Sequence, residues 1–154
     1  MSTMTVSPAG SAPERRTADW RRYVFVAIGT IGAAVLANVL LYALGSAVTP
    51  YDPEFLILKD VSATMLFTIV PAIAAVLLYA LLLRFTANPE RNFTIIAAVV
   101  LIASLIPDIT YLPTVPGAST GQIGLLMLMH VVAAVVIVGM LTTFTPASAA
   151  SRDR

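Results

Sequence analysis

Four long runs of apolar residues dominate the chain, and short polar segments separate them. The runs cover about residues 23–48, 61–85, 93–112 and 123–145. A helix needs about 20 residues to cross roughly 30 Å of hydrocarbon, and each run reaches or exceeds that length. The first run is too long for a secretory signal, whose apolar core has roughly 7 to 15 residues. The pattern therefore predicts an all-α protein with four transmembrane helices and an uncleaved first helix.

Composition and loop length refine this fold. The 154 residues are 58% apolar and 11% charged, with a mean hydropathy of +0.91, which is far more apolar than an ordinary soluble domain. Short loops after the second and third runs make consecutive helices antiparallel neighbours, which predicts an up-down four-helix bundle over residues 20–145. Residues 1–19 and 146–154 have little apolar surface to bury, so we expect two disordered tails.

Basic residues lie on one side of the predicted bundle. Arg21 and Arg22 precede the first helix, and Arg84 and Arg91 flank the second loop. The first and third loops together hold only Lys59, whereas both tails carry further arginines. Under the positive-inside rule, both termini and both tails are cytoplasmic. Abundant Ala, Val and Arg suggest a GC-rich bacterial genome, so the predicted location is the inner (plasma) membrane.

Aromatic residues and the first loop fit the same frame. The loop "TPYDPEFLILKD" has an apolar centre, so we expect it to fold onto the rim of the bundle or the headgroup region. Aromatic side chains are enriched at the two interfaces of a membrane. The expected inner set is Trp20, Tyr23, Phe85, Phe93 and Phe144, and the expected outer set is Tyr51 and Tyr111.

Small residues in the first and fourth runs allow helices to approach closely. In the first run, Gly29, Ala33 and Ala37 recur at steps of four and form a predicted packing stripe. A neighbouring face carries Ala27, Ile31, Ala34, Asn38 and Gly45, and the fourth run offers Ala133, Ala134 and Gly139. Asn38 and His130 lie on these Ala-bearing faces, so both are predicted to face the interior of the bundle.

Four polar residues interrupt the apolar runs at a similar depth. At about 1.5 Å per residue, Asn38 lies about 22 Å above the inner end of the first helix, and Asp108 lies at a similar height on the third. Thr68 and His130 lie about 10 Å below the outer ends of the second and fourth helices. Polar groups in hydrocarbon are costly unless they are paired. The sequence therefore predicts a polar intramembrane layer, which is a candidate ligand or proton site.

Each of these residues also has a structural interpretation. For His130 we favour a neutral ring that joins helices by bonding to Asn38 or to a freed carbonyl, while Asp108 ends its helix and turns outward to water. Asn38 is expected to join helices in the same way. Thr68 is expected to bond back to its own helix. Pro71 is expected to kink the second helix and to free one backbone carbonyl.

Several classes of function lack the residues they need. The chain has no cysteine, which removes disulfides and thiolate metal sites, and its single histidine cannot supply a bis-histidine haem site. We find no nucleophile-base pair, no metal-ligand spacing and no phosphate-binding loop. The prediction is therefore a protein that is not an enzyme and that has no cofactor and no metal. Without a continuous basic surface, nucleic acid is not expected as a partner. The expected partners are the lipid bilayer and a membrane protein or a second copy of the chain.

Four segments together carry a resemblance to a known family. They are "ANVLLYAL", "LLLRFT", "LIASLIP" and "LMLMHVVAAVVIV", one in or beside each run. Over about residues 21–141 the chain resembles a bacterial family of small four-helix integral membrane proteins that is catalogued as a domain of unknown function. The resemblance implies a fold and a membrane location, and it implies no activity.

Two hypotheses for the function follow. The favoured one is a non-enzymatic membrane or envelope component. The alternative is a small transporter, channel or proton-sensing module that uses the polar layer in the outer half of the bundle. Against a multidrug-type antiporter stands the expected position of Asp108 near the rim, because such proteins place a carboxylate deep in the bilayer. A cavity of several hundred Å³ lined by Asn38, Thr68, Asp108 and His130 would favour the alternative, and a dry, packed layer would favour the first hypothesis.

Overall fold

The computed structural model describes residues 20–145, and this part of the chain is helical apart from its loops. The predicted disorder of the two tails lies outside the described residues. The helices are α1 (Trp20–Val48), α2 (Val61–Phe85), α3 (Pro89–Thr110) and α4 (Thr120–Phe144), and a short 3₁₀ helix covers Leu112–Thr114. All four long helices are long and apolar enough to cross a membrane, which supports a multi-pass membrane protein.

Polar caps extend two helices beyond the predicted apolar runs. α3 begins at Pro89, directly after its N-cap Asn88, because proline suits the first turn of a helix. α4 begins at Thr120 through a capping box, in which the Ser119 side chain and the Gln122 side chain each accept a hydrogen bond from the other residue's backbone N–H. These first turns are polar, so the apolar pattern does not include them.

At the start of α2, the Asp60 side chain accepts a hydrogen bond of 2.8 Å from the backbone N–H of Ser62. This bond stabilises the carboxylate and holds the pKa of Asp60 below its usual value. Asp60 therefore stays charged at the N-terminus of α2, where the helix dipole favours a negative charge.

The four helices contact one another unequally. α1 has its most extensive contacts with α4 and also packs against α2, while α3 packs against α4 and, less extensively, against α2. α2 and α4 also touch, whereas α1 and α3 make no contact in the described part of the chain. Among the neighbouring pairs, α2 and α3 therefore form the loosest seam.

One end of the helices is closed by buried aromatic rings. Tyr23 near the start of α1, Tyr79 near the end of α2 and Phe93 near the start of α3 pack together, with the Tyr79 and Phe93 ring centroids 4.9 Å apart. The Tyr23 hydroxyl donates to the carbonyl of Val76, and the Tyr79 hydroxyl donates to the carbonyl of Thr145. We call this group the aromatic seal.

The aromatic seal corrects one prediction. Tyr23 and Phe93 were expected at the inner membrane interface, but both are buried among helices. A tyrosine inside an apolar bundle must find a partner for its hydroxyl, and a backbone carbonyl supplies one here. Trp20, Phe85 and Phe144 are exposed at the same end of the helices, as residues facing an interface would be.

The first loop folds onto the other end, and the prediction that it packs on the bundle rim is confirmed. Phe55 and Leu58 are fully buried and pack with Leu112, Leu126 and Met129. Two hydroxyls fasten the loop: Tyr42 donates to the carbonyl of Leu58, and Tyr51 donates to the carbonyl of Tyr42. Burial and the neighbouring Tyr42 raise the pKa of Tyr51, so this hydroxyl remains a donor throughout the physiological pH range. We call the residues around Phe55 and Leu58 the loop cap.

Gly117 joins the third loop to the loop cap. Its φ is +75°, and a Cβ built there would lie 2.8 Å from the backbone nitrogen of Phe55. Only glycine combines this left-handed conformation with such a close approach.

We therefore predict that Gly117→Ala lowers the free energy of unfolding by at least about 1–2 kcal/mol, the cost of a left-handed alanine, because the first loop must also move away. Chemical or thermal denaturation in a mild detergent measures the change. Gly124→Ala is the matched control, since Gly124 lies within α4 and an added Cβ would meet nothing within 4 Å. Equal stability of the two variants would contradict the close contact between the loops.

Candidate functional site

Asn38 of α1 and Thr68 of α2 form a buried hydrogen-bonded pair. The Asn38 Nδ2 donates to the Thr68 Oγ1 at 2.9 Å, and Thr68 donates in turn to the carbonyl of Thr64 at 2.8 Å. Asn38 faces the interior and is 4% exposed. The expected bond from Thr68 back to its own helix is thus confirmed, and the same hydroxyl also holds α1 to α2.

The buried face of α1 is the neighbouring face, rather than the stripe of small residues. Its buried residues include Ala27, Ala34 and Asn38, whereas Gly29 of the predicted stripe is exposed. Tyr23 explains in part why this face is buried. It lies on the same face as Ala27, and its hydroxyl anchors that face to α2 by donating to the carbonyl of Val76.

Asp108 of α3 and His130 of α4 form the second pair. The Nδ1 of His130 lies 3.3 Å from the Asp108 Oδ2 and 2.8 Å from the carbonyl oxygen of Leu126. A carbonyl oxygen only accepts, so Nδ1 carries the hydrogen and donates it to Leu126. The Asp108 side chain is 8% exposed, and the His130 side chain is 38% exposed.

These contacts correct two expectations. His130 does not bond to Asn38, because the Asn38 amide is held by Thr68. Asp108 neither ends its helix nor turns outward: α3 continues to Thr110, and the carboxylate lies against His130. Contact with His130 offers the carboxylate a potential counter-charge, which a position among apolar side chains otherwise lacks.

The contact also places Asp108 deeper than its position in α3 suggests. Asp108 is two residues from the end of its helix, but His130 is ten residues, about 15 Å, from the start of α4. Because the two side chains touch, the carboxylate lies at the level of His130. The loop cap and the 3₁₀ helix cover the shorter end of α3. Asp108 is therefore not a rim residue.

A cavity of about 630 Å³ brings the two pairs together. Asn38, Thr68, Asp108 and His130 all line it, and so does Pro71, which lies inside the continuous helix α2. The rest of the wall is mainly apolar and comes from α2, α3 and α4. The cavity extends from Ile57 and Leu112 at the loop cap to Phe93 of the aromatic seal.

The cavity reaches the surface at the loose seam between α2 and α3. Phe67 and Pro71 on α2 and Val100 on α3 line the cavity and are also exposed. This part of the surface belongs to helices that are apolar enough to span a membrane. In a bilayer, the opening therefore faces lipid.

The polar end of the cavity offers acceptors. Within residues 20–145, the buried side-chain atoms without a hydrogen-bond partner include the Asn38 Oδ1, the Thr64 Oγ1 and the Asp108 Oδ2, and all three residues line the cavity. The Asn38 Nδ2 donates to Thr68, and the Nδ1 hydrogen of His130 is donated to the Leu126 carbonyl. In the same range, no group of three or more His, Asp or Glu side chains is placed to hold a metal ion. The arrangement can accept hydrogen bonds and balance a positive charge.

Three polar lining residues, Thr64, Ser104 and Tyr111, are not among the residues that the sequence predicts for the polar layer. Ser104, Asp108 and Tyr111 are spaced as i, i+4 and i+7, which puts them on one side of the chain as it leaves the membrane core. Thr64 precedes Thr68 by one helical turn and supplies the carbonyl that Thr68 binds. Helical spacing from the residues already chosen was the available signal for all three.

The model of DUF6069, a family of unknown function, matches residues 15–146. No curated protein and no solved structure matches the chain.

We predict an energetic coupling between Asn38 and Thr68. Asn38→Ala and Thr68→Val, alone and together, should give a coupling free energy of about 0.6 kcal/mol and at most about 1.7 kcal/mol, as for other hydrogen bonds between transmembrane helices. Denaturation in detergent measures the four stabilities. Asn38→Ala with Thr142→Val is the control cycle, because the Thr142 hydroxyl bonds within α4 to Val138. Equal coupling in the two cycles would contradict the α1–α2 bond.

Proposed function

Since the chain belongs to DUF6069, a family of unknown function, its own residues must indicate its activity, and we propose that it is a non-enzymatic membrane protein that binds a lipophilic molecule in the cavity between α2, α3 and α4. The observation that carries this proposal is the cavity of about 630 Å³ lined by all four residues of the polar layer. Small-molecule sites have volumes of roughly 300–1,000 Å³ and combine apolar walls with a few polar groups.

Unpartnered polar atoms in the described cavity wall favour a transport or binding module over a purely structural membrane component. A purely structural polar layer would be packed and would satisfy its own hydrogen bonds. Here the Asn38 Oδ1 and the Asp108 Oδ2 are buried without a hydrogen-bond partner among the described residues. Buried polar atoms of this kind are costly in hydrocarbon, and a bound ligand would satisfy them.

Entry of the ligand from the bilayer follows from the position of the opening. The exposed lining residues lie on the α2–α3 seam, and the loop cap covers the cavity at one end. A molecule that is dissolved in lipid reaches the seam without crossing water. Such a protein acts as a binding or transport module for a lipophilic molecule.

A structural role is the second candidate, and one contact favours it. The Asn38–Thr68 bond joins α1 to α2 at a buried position, as interhelical hydrogen bonds do in membrane proteins whose polar residues only hold helices together. The Asp108–His130 pair has no comparable bond of good geometry, because the Nδ1 hydrogen is donated to Leu126.

We also propose an orientation of the helices in the membrane. In the aromatic seal, the N-terminal ends of α1 and α3 lie beside the C-terminal ends of α2 and α4. Consecutive helices therefore run in opposite directions, which supports an up-down bundle. Four arginines lie near this end of the helices, and the positive-inside rule places this end in the cytoplasm. They are Arg21, Arg22, Arg84 and Arg91. We assign the protein to a bacterial plasma membrane with both termini inside.

We predict that a fluorescent protein fused to the C-terminus is fluorescent in the cytoplasm, whereas an alkaline phosphatase fused there is inactive. Insertion of the phosphatase in the first loop, after Glu54, should give the opposite result, because Glu54 is exposed in that loop. Phosphatase activity at the C-terminus would contradict the four-span orientation.

We predict that filling the cavity weakens the binding of a lipophilic probe. Ala97 lines the cavity, and its neighbour Ala98 is exposed and does not line it. Binding of N-phenyl-1-naphthylamine to the detergent-solubilised protein is followed by its saturable fluorescence. Ala97→Phe should lower the affinity for this probe by at least about tenfold, a loss of about 1.4 kcal/mol. Ala98→Phe should bind like the unaltered protein.

Protein-free micelles of the same detergent give the background fluorescence for this measurement. Two results would contradict the proposed function: an absence of saturable binding to the unaltered protein, or equal binding by the two phenylalanine variants when both retain their helical circular dichroism.

A further inference from the structure

We propose that the ligand of this cavity is a cationic amphiphile, an alkylammonium with a protonated amine head and a long apolar tail. This inference rests on the proposed function and names its ligand class. The head lies at Asp108 and Asn38, and the tail lies along α3 toward Phe93.

The free polar atoms select the head. The Oδ2 of an ionised Asp108 carboxylate and the Asn38 Oδ1 can only accept hydrogen bonds, and both residues are more than nine-tenths buried. The Thr64 hydroxyl is the third buried atom without a partner in the described part of the cavity wall. An ammonium group has three donors and no acceptor, so it matches this set. A carboxylate head would bring acceptors to acceptors.

Charge selects the same head. The titratable residues in the cavity wall are Asp108 and Tyr111, which precede the third loop, and His130 on α4. From α1, α2 and the first loop, the wall receives neutral side chains such as those of Asn38, Thr64 and Ile57. A buried carboxylate is stabilised when a cation is adjacent. In the unliganded protein His130 is the neighbour placed to supply that charge, and a bound ammonium would supply it in its place.

His130 is positioned for such an exchange. Its side chain is 38% exposed, its Nδ1 is 3.3 Å from Asp108, and its hydrogen is already held by the Leu126 carbonyl. The ring can therefore remain in place while the carboxylate turns to a ligand. Because the histidine need not leave, an ammonium binds beside it at the polar end of the cavity.

The wall selects the tail. The lining residues of α3 run from Asp108 back to Phe93, about 22 Å along the helix, and those between them on the wall are mainly Ile, Val, Leu and Ala. A single polar end and a long apolar wall fit a molecule with one charged head and one alkyl chain. A sugar or a nucleotide would leave many polar groups unpaired in this wall.

The test compares three probes that share one tail. Dodecylamine, 1-dodecanol and dodecanoate displace N-phenyl-1-naphthylamine from the full-length protein in an uncharged detergent at pH 7.5, where the amine is protonated. We expect dodecylamine to act at a concentration at least about tenfold lower than the other two, corresponding to about 1.4 kcal/mol. Asp108→Asn should remove this preference, because it removes the negative charge that would hold the ammonium head. Glu54→Gln, at an exposed carboxylate outside the cavity, should retain it.

The outcomes separate the two proposals. If the three probes act equally, or if dodecanoate acts best, while Ala97→Phe still blocks binding of the fluorescent probe, the ligand class is wrong and the lipophilic site stands. If Ala97→Phe and Ala98→Phe bind the fluorescent probe equally, the proposed function fails as well. The ranking of the three heads in the unaltered protein needs no variant, so it decides the ligand class even if Asp108→Asn does not fold.

Discussion

The carboxylate of Asp108 is buried among apolar side chains, and the cost of that burial governs the arrangement around it. A charged side chain in hydrocarbon costs up to about 2.5–3.5 kcal/mol on insertion scales, the value at the centre of a span, and pairing reduces the cost. His130 of the neighbouring helix approaches within 3.3 Å and offers a potential counter-charge. For this contact to form, α3 must end below the start of α4, so the chain between them turns over the top of α3 through the 3₁₀ helix Leu112–Thr114. The depth of the carboxylate and the shape of the third loop are thus two results of one contact.

The remaining architecture closes the ends of the cavity and leaves its side open. Buried rings seal one end, where Tyr79 contacts Phe93, and the loop cap covers the other with Phe55 and Leu58. Between these closures α1 is held firmly, by extensive packing on α4 and by the Asn38–Thr68 bond to α2. α3 has no contact with α1 among the described residues and only the looser seam with α2. The cavity therefore lies beside α3, at the level of the polar residues.

The apolar runs of the sequence predict the four spans because a bilayer demands about 20 apolar residues for each crossing. Depth counting along ideal helices also places Asn38, Thr68 and His130 in one layer, since the rise per residue is nearly constant. Asp108 falls in the same layer when it is counted from the inner end of α3, but near the rim when it is counted from the outer end. The pairing within the layer could not be predicted in this way. It depends on how each helix is rotated and on where α3 ends, and apolar runs carry little information on either. Tyr23 and Phe93 show the same limit, because an aromatic residue near the end of a span suits both an interface and a buried seal. The cavity itself arises from an incomplete contact between α2 and α3. It could not be predicted from the sequence, because it depends on how closely the two helices pack.

We infer that the cavity is open to lipid and closed to water, and the methyl group of Met129 can report on this. Met129 is buried and lines the cavity, whereas Met65 is exposed on α2 and does not line it. With ¹³C-methyl methionine in nanodiscs, NMR relaxation can be compared in the presence of dissolved oxygen, which concentrates in hydrocarbon, and of a water-soluble gadolinium chelate. We expect oxygen to enhance the relaxation of Met129 nearly as much as that of Met65, and we expect the chelate to leave Met129 unaffected. A Met129 methyl that responds to neither agent, or that responds to the chelate, would contradict it.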